Sequence, residues 1–218
     1  MRRPPFVLVL ALLAAAACGR VPGQEVRYEP TPMPAVRAML ELAAVGPGDV
    51  VYDLGSGDGR IVITAAREFG ARGVGIEIHP SLVERARANA REAGVADRVE
   101  FRLGNMHDAD LAPATVVTLF LHPGPNMKLR PKLRRELRPG ARVVSYVWDM
   151  GDWTPDDART LNRRRIFLWR VGADTQAWRH NTIGHRKMAA APWDHVAASS
   201  SAMSPAASAK PQGSSRAW

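Results

Sequence analysis

Apolar residues along the middle of the chain follow two alternating rhythms. Val36, Met39, Leu40 and Ala43 fall at i, i+3, i+4 and i+7, the spacing of one buried helix face. Gly46-Pro47-Gly48 stops that helix, and residues 50–54 follow as a short buried strand. Val62, Ala65, Ala66 and Phe69 mark a second helix. Residues 72–78 read as a second strand, and residues 80–93 as a helix opened by Pro80 and closed by Gly94. Residues 98–104 form a third strand. Residues 115–121 lack polar alternation, as a central strand covered on both faces requires. Leu129, Leu133 and Leu137 line a helix ending at Arg138-Pro139-Gly140, and residues 142–148 make a fifth strand. Residues 158–171 read as a closing hairpin that turns at residues 162–164.

Strands spaced by helices predict an α/β fold with right-handed crossovers. The expected architecture is a doubly wound, mainly parallel, seven-stranded Rossmann-like sheet with a closing antiparallel hairpin. Ligands in such sheets bind beyond the carboxyl ends of the strands, near the switch in strand order. The glycine-rich turn after the first strand leaves the sheet at that edge.

The two ends of the 218-residue chain are unlike this middle. Residues 1–18 have the pattern of an export leader: Arg2 and Arg3, an apolar run over residues 6–17, and Ala15 and Ala17 where a signal peptidase reads small residues. Cys18 is the only cysteine, so no intramolecular disulfide forms. Its position resembles that of the lipidated cysteine of a bacterial lipoprotein, although Ala15 stands where leucine is usual. A genuine leader implies a membrane-anchored lipoprotein or a secreted or periplasmic protein. A mis-assigned start would leave a cytoplasmic one. Residues 19–33 are an extended, proline-rich lead-in, residues 34–174 the folded domain, and residues 175–218 a low-complexity tail. In that tail Ser, Ala and Pro dominate from about residue 189, a composition expected to stay disordered. The formal charge of +9 admits nucleic acid or an anionic membrane as a partner. The basic residues Lys128, Arg130, Lys132, Arg134, Arg135, Arg138 and Arg142 cluster around one helix, yet without the interleaved aromatics of a single-strand binder.

The chemistry starts at the first turn. Its glycines are Gly55, Gly57 and Gly59, and Arg60 stands where a dinucleotide fingerprint has its third glycine. That register argues against a nicotinamide or flavin pyrophosphate. No Gly-Lys-Ser/Thr follows the strand, so a P-loop is excluded too. Asp53-Leu54-Gly55-Ser56-Gly57-Asp58-Gly59 instead resembles the first motif of class I S-adenosylmethionine-dependent methyltransferases.

The resemblance implies that this loop, Ser56 included, embraces the methionine portion of the cofactor, and that Asp53 orders the loop and its polar contacts. It also implies a second carboxylate at the end of strand two, accepting hydrogen bonds from the ribose hydroxyls. Glu77 stands there, roughly 20 residues beyond the loop. Ile78 would pack on the adenine. Asn105 occupies the region where the family often has an acid for the adenine amino group, with Asp108 as an alternative. Residues 28–171 look closest to small bacterial methyltransferases similar to the mitochondrial protein-lysine methyltransferases of ATP synthase and the adenine nucleotide carrier. By that likeness Tyr28 and Thr31 would lie over the cofactor.

The methyl acceptor is less legible. No D/N-P-P-Y/F motif follows the fourth strand, no catalytic cysteine is present there, and no Asp/His cluster suggests a metal. His122 is a candidate catalytic group at the end of strand four. Asp149, Asp152 and Trp153 follow strand five and could hold a cationic amine by charge and ring face. The reading is an S-adenosylmethionine-dependent N-methyltransferase acting on a protein lysine, without a metal, with nucleic acid disfavoured. The alternatives are a nucleic-acid or small-molecule methyltransferase, or a non-catalytic exported or lipid-anchored protein that retains the fold.

Overall fold

Helices and strands alternate along a computed structural model of the protein, which describes residues 28–172. The expected leader, the lipidation of Cys18 and the low-complexity tail lie outside the described residues. The elements are α1 (Met33–Leu42), β1 (Val50–Leu54), α2 (Arg60–Phe69), β2 (Arg72–Glu77), α3 (Pro80–Glu92) and β3 (Val99–Leu103). They continue as β4 (Val116–Leu119), α4 (Pro123–Glu136), β5 (Arg142–Tyr146), β6 (Asp157–Leu161) and β7 (Arg164–Arg170).

The seven strands form one sheet in the order β3-β2-β1-β4-β5-β7-β6. Pairs among β1 to β5 are parallel, while β7 runs antiparallel to both β5 and β6. The order reverses between β1 and β4, so the turn after β1 opens at the switch point where α/β sheets bind ligands.

Alternation along the strands divides the core. Val51, Val144, Ile166 and Leu168 face α1, α2 and α3. Tyr52, Leu54, Val143, Phe167 and Trp169 face the other way, onto Leu129, Leu133 and Leu137 of α4 and its margin. Both faces are covered, which is why the central strands read as near-continuous apolar runs. The face expected for α1 is buried as predicted, with Val36, Met39, Leu40 and Ala43 all fully shielded.

Two sequence expectations shift. Arg142 does not belong to the basic cluster of α4: it opens β5, bonds the carbonyls of Ala43 (2.7 Å) and Ala44, and pairs with Asp49. It thereby ties the end of α1 to the entry of β1. The strands also end earlier than their apolar runs, β2 at Glu77 and β4 at Leu119. The residues beyond those ends are released from the sheet to line a cavity.

Candidate functional site

The cavity lies over the carboxyl ends of β1 to β5 and measures about 480 Å³. Its wall includes Asp53, Gly55, Ser56, Gly57, Glu77, Ile78 and Asn105, with Tyr28 and Thr31 from the lead-in and His122 from the end of β4.

Register explains the placement of Asp53. It sits opposite Gly75 of β2 and Thr118 of β4, and Thr118 Oγ1 donates to its Oδ1 at 2.7 Å. At 3% exposure it is closed off from bulk water. Burial raises its pKa, the Thr118 hydrogen bond opposes the rise, and the negative charges of Glu77 and Asp58 add to it, leaving it at about 7.

Glu77 is placed by main-chain donors. Its Oε2 accepts from Gly57 N at 2.9 Å, and its Oε1 accepts from Ile78 N (2.9 Å) and His79 N (3.0 Å) at the start of α3. Carboxylate oxygens offer about four acceptor positions, so three are taken by the loop and the helix start. Glu77 therefore closes the glycine turn onto β2 as well as facing the cavity.

The glycines work differently from a simple cradle for a ligand. Gly57 and Gly59 have φ of +54° and +82°, where side chains with a Cβ are strained. A Cβ on Gly57 would meet the Tyr28 ring at 2.4 Å, and one on Gly59 would meet Phe101 at 2.5 Å. The space freed by these glycines is filled by the protein's own aromatic rings. Tyr28 is thus packed onto the loop as a cover.

Arg60 secures that cover. Its Nε and Nη2 bind the Asp58 carboxylate at 2.9 and 2.6 Å, while Nη1 donates to Thr31 O at 3.0 Å, strapping the lead-in to the turn. Burial pushes the Asp58 carboxyl up, but the Arg60 bonds and charge outweigh it, and the carboxyl stays below its usual range. Glu29 of the same strap faces Arg164 of β7 at 3.6 Å.

On the far wall His122 stands at the N-cap position of α4, and its ring lies 6.2 Å from that of Trp148. Val147 also lines the cavity, and its φ of +74° is rare for a β-branched residue. Such strain costs about 1–3 kcal/mol and persists only where the surroundings enforce it.

The acceptor-side candidates after β5 lie apart from the cavity. Asp149 and Trp153 are not on the cavity wall. Asp149 is exposed and its Oδ1 caps Gly151 N at 3.1 Å. Trp153 packs on Trp169 (5.8 Å), its carbonyl accepts from Trp169 Nε1 at 2.7 Å, and Arg134 lies over its ring. Asp152 pairs with Arg130. Strand β5 ends at Tyr146, and the sharp bend at Val147 turns Trp148 toward the cavity instead. Asn105 reaches the wall with its Oδ1 accepting from His107 N at 3.0 Å, whereas Asp108 does not line the cavity.

The wall suits S-adenosylmethionine on physical grounds. Three carboxylates converge around one glycine turn; burial above all, with the charges of Glu77 and Asp58 adding to it, raises the pKa of Asp53, and a cationic ligand would favour its ionised form. Ser56 Oγ is buried without a partner. Exposed Ile78, at 61%, offers an apolar face where a flat base would lie. Among the described residues no group of three or more His, Cys, Asp or Glu side chains could hold a metal ion.

Fold and site together define a class I S-adenosylmethionine-dependent methyltransferase. Residues 53–157 match the family described as the ANTKMT methyltransferase domain. A protein-lysine N-methyltransferase of Saccharolobus islandicus is 47% identical over 152 residues, covering 67% of this chain and 94% of that protein. The adenine nucleotide translocase lysine N-methyltransferase of Mus musculus is 38% identical over 149 residues, 67% of this chain and 64% of that protein. An RNA methyltransferase from Salinibacter ruber, solved with S-adenosyl-L-homocysteine, is 59% identical with a TM-score of 0.66, covering 66% of this chain and 95% of that one. The chain belongs to this family of methyltransferases.

Proposed function

We propose that the protein methylates the side-chain amine of a lysine in a protein substrate, using S-adenosylmethionine. The observation that carries this reading is the archaeal protein-lysine N-methyltransferase, matched over 94% of its length. The absence of a D/N-P-P-Y/F tether after β4 supports an acceptor other than a planar amine.

Asp53, the 55–59 turn, Glu77 and Ile78 would hold the cofactor, with Tyr28 and Thr31 above it. When bound, S-adenosylmethionine supplies the methyl group in electrophilic form on its sulfonium. The chain itself contributes alignment and exclusion of water. The strap shields one side of the cavity. On the other side Phe120, His122 and Trp148 present rings to whatever enters. An amine surrounded by apolar groups loses its proton more readily than in water, which is the form that can accept a methyl group. His122 is the candidate acceptor for that proton.

The Salinibacter protein and the exposed basic residues Lys128, Arg134 and Arg138 favour nucleic acid as the second reading. Labelled methyl transfer into a bacterial lysate separates the two. The expected label is removed by protease, survives nuclease, and appears in methyl-lysine after hydrolysis. Glu77→Ala should weaken S-adenosylmethionine binding on the order of 10- to 100-fold, because it removes a charged acceptor and releases the Gly57 turn. No binding by the wild-type protein in calorimetry would sink the enzyme reading in favour of a non-catalytic one.

A further inference from the structure

The bend after β5 is held by a buried network that no role in cofactor binding requires. Asn126 lies in the first turns of α4 with its side chain fully buried. Its Nδ2 reaches Ser145 Oγ and Trp148 O at 3.3 Å and Asp149 O at 3.4 Å. Ser145 Oγ donates to the same Trp148 carbonyl at 2.6 Å. Val147 N donates to Arg165 O at 2.8 Å, fixing the other side of the bend. Asn126 Oδ1 is left buried without a partner, so the amide is oriented by what its nitrogen must hold.

These bonds enforce the positive φ of Val147 and deliver Trp148 to the cavity wall, 37% exposed. The backbone N–H of Asn126 bonds His122 O at 3.2 Å, so the same residue is anchored to the His122 end of the wall. The two rings follow neighbouring strands, β4 and β5, and this link ties the segments beyond the strand ends together.

We propose that Trp148 is the acceptor-lining residue along which the alkyl stem of the methyl-accepting lysine lies, and that Asn126 is the positioning residue that holds it there. This rests on the lysine reading above. Lysine carries a four-carbon apolar stem that packs on such surfaces while its amine continues inward. The His122 and Trp148 rings already contact each other as a tilted pair. That leaves no slot between them for a nucleobase, but offers an open ring face and edge to a thin aliphatic chain.

The test uses the full-length protein, tritiated S-adenosylmethionine and total protein of a bacterial lysate as acceptor, with label counted in methyl-lysine after acid hydrolysis. Trp148→Ala should lower labelled lysine by about tenfold or more, and Trp148→Phe should recover most of it. Asn126→Asp keeps the size but turns a donor into an acceptor facing two carbonyls. It should raise the lysate protein concentration needed for half-maximal labelling, while the S-adenosylmethionine concentration for half-maximal rate stays unchanged. Calorimetric Kd for S-adenosylmethionine should move by less than about twofold in all three variants. Unchanged lysine labelling by Trp148→Ala overturns the assignment and leaves the lysine reading standing. Parallel loss of cofactor affinity in all variants also overturns it, since the residues would then serve the cofactor. Label that is nuclease-sensitive and absent from lysine overturns the lysine reading itself, and this assignment with it.

Discussion

Asp53 is held against Thr118 with two other carboxylates nearby, and its pKa of about 7 puts its charge change in the working range. An unfolded aspartate titrates near 3.9, so between about pH 4 and pH 7 the folded state binds the extra proton. Its contribution to stability is complete below the unfolded pKa and is lost as pH rises through about 7. Asp53→Asn cannot ionise and lacks this loss. The thermal stability of the wild type relative to Asp53→Asn should therefore fall from about pH 5 to about pH 8. Affinity for S-adenosylmethionine, relative to the same variant, should rise over that range as the ionised carboxylate meets a cationic ligand. The ligand's own titration cancels in that comparison. A flat difference in both measurements would show that Asp53 stays ionised throughout.

Between elements, the N-terminal strap and the glycine turn act as one unit because Arg60 bonds both Asp58 and Thr31. A glycine at this position, as in the dinucleotide fingerprint, would leave the strap without its latch. Arg60→Ala should weaken S-adenosylmethionine binding by about tenfold through a faster off-rate. The cost to stability should stay near 1 kcal/mol, because Arg60 is only part-buried and lies outside the core. Stopped-flow release and thermal denaturation of the same variant check both halves. The pairing of Arg142 with Asp49 makes a similar junction at the opposite ends of the strands, where β1 and β5 begin, and neither residue lines the cavity.

For the whole molecule, the cavity is assembled from the ends of five strands, the starts of three helices and a segment ahead of α1. A ligand that fits it binds the folded state only. S-adenosylhomocysteine at 100 times its Kd should stabilise the protein by about 2.7 kcal/mol, raising Tm by roughly 5–11 °C for a domain of this size. Gly57→Val places side-chain atoms into the space of the Tyr28 ring and should abolish that ligand-dependent increment. A Tm insensitive to the ligand in the wild type would argue against the cofactor site altogether.

Much of this was legible in the chain because it depends on local order. The helix period of α1, the strand runs, the Gly55-Gly57-Gly59 register and the distance to Glu77 are properties of short stretches, and the backbone rules acting on them are the same in any fold. They determined the α/β class, the closing hairpin and the methyl-donor loop. Tertiary structure decided what depends on partners distant in sequence. That Gly57 makes room for Tyr28, that Arg60 latches Thr31, and that Asn126 holds the Trp148 bend are contacts across 19 to 29 residues, with no repeating pattern to announce them. Trp148 reads from the sequence as the last residue of the fifth strand, and Trp153 as the ring that meets an amine. Which of them faces the cavity was settled by where β5 ends and by one strained valine, features that only the packed sheet enforces.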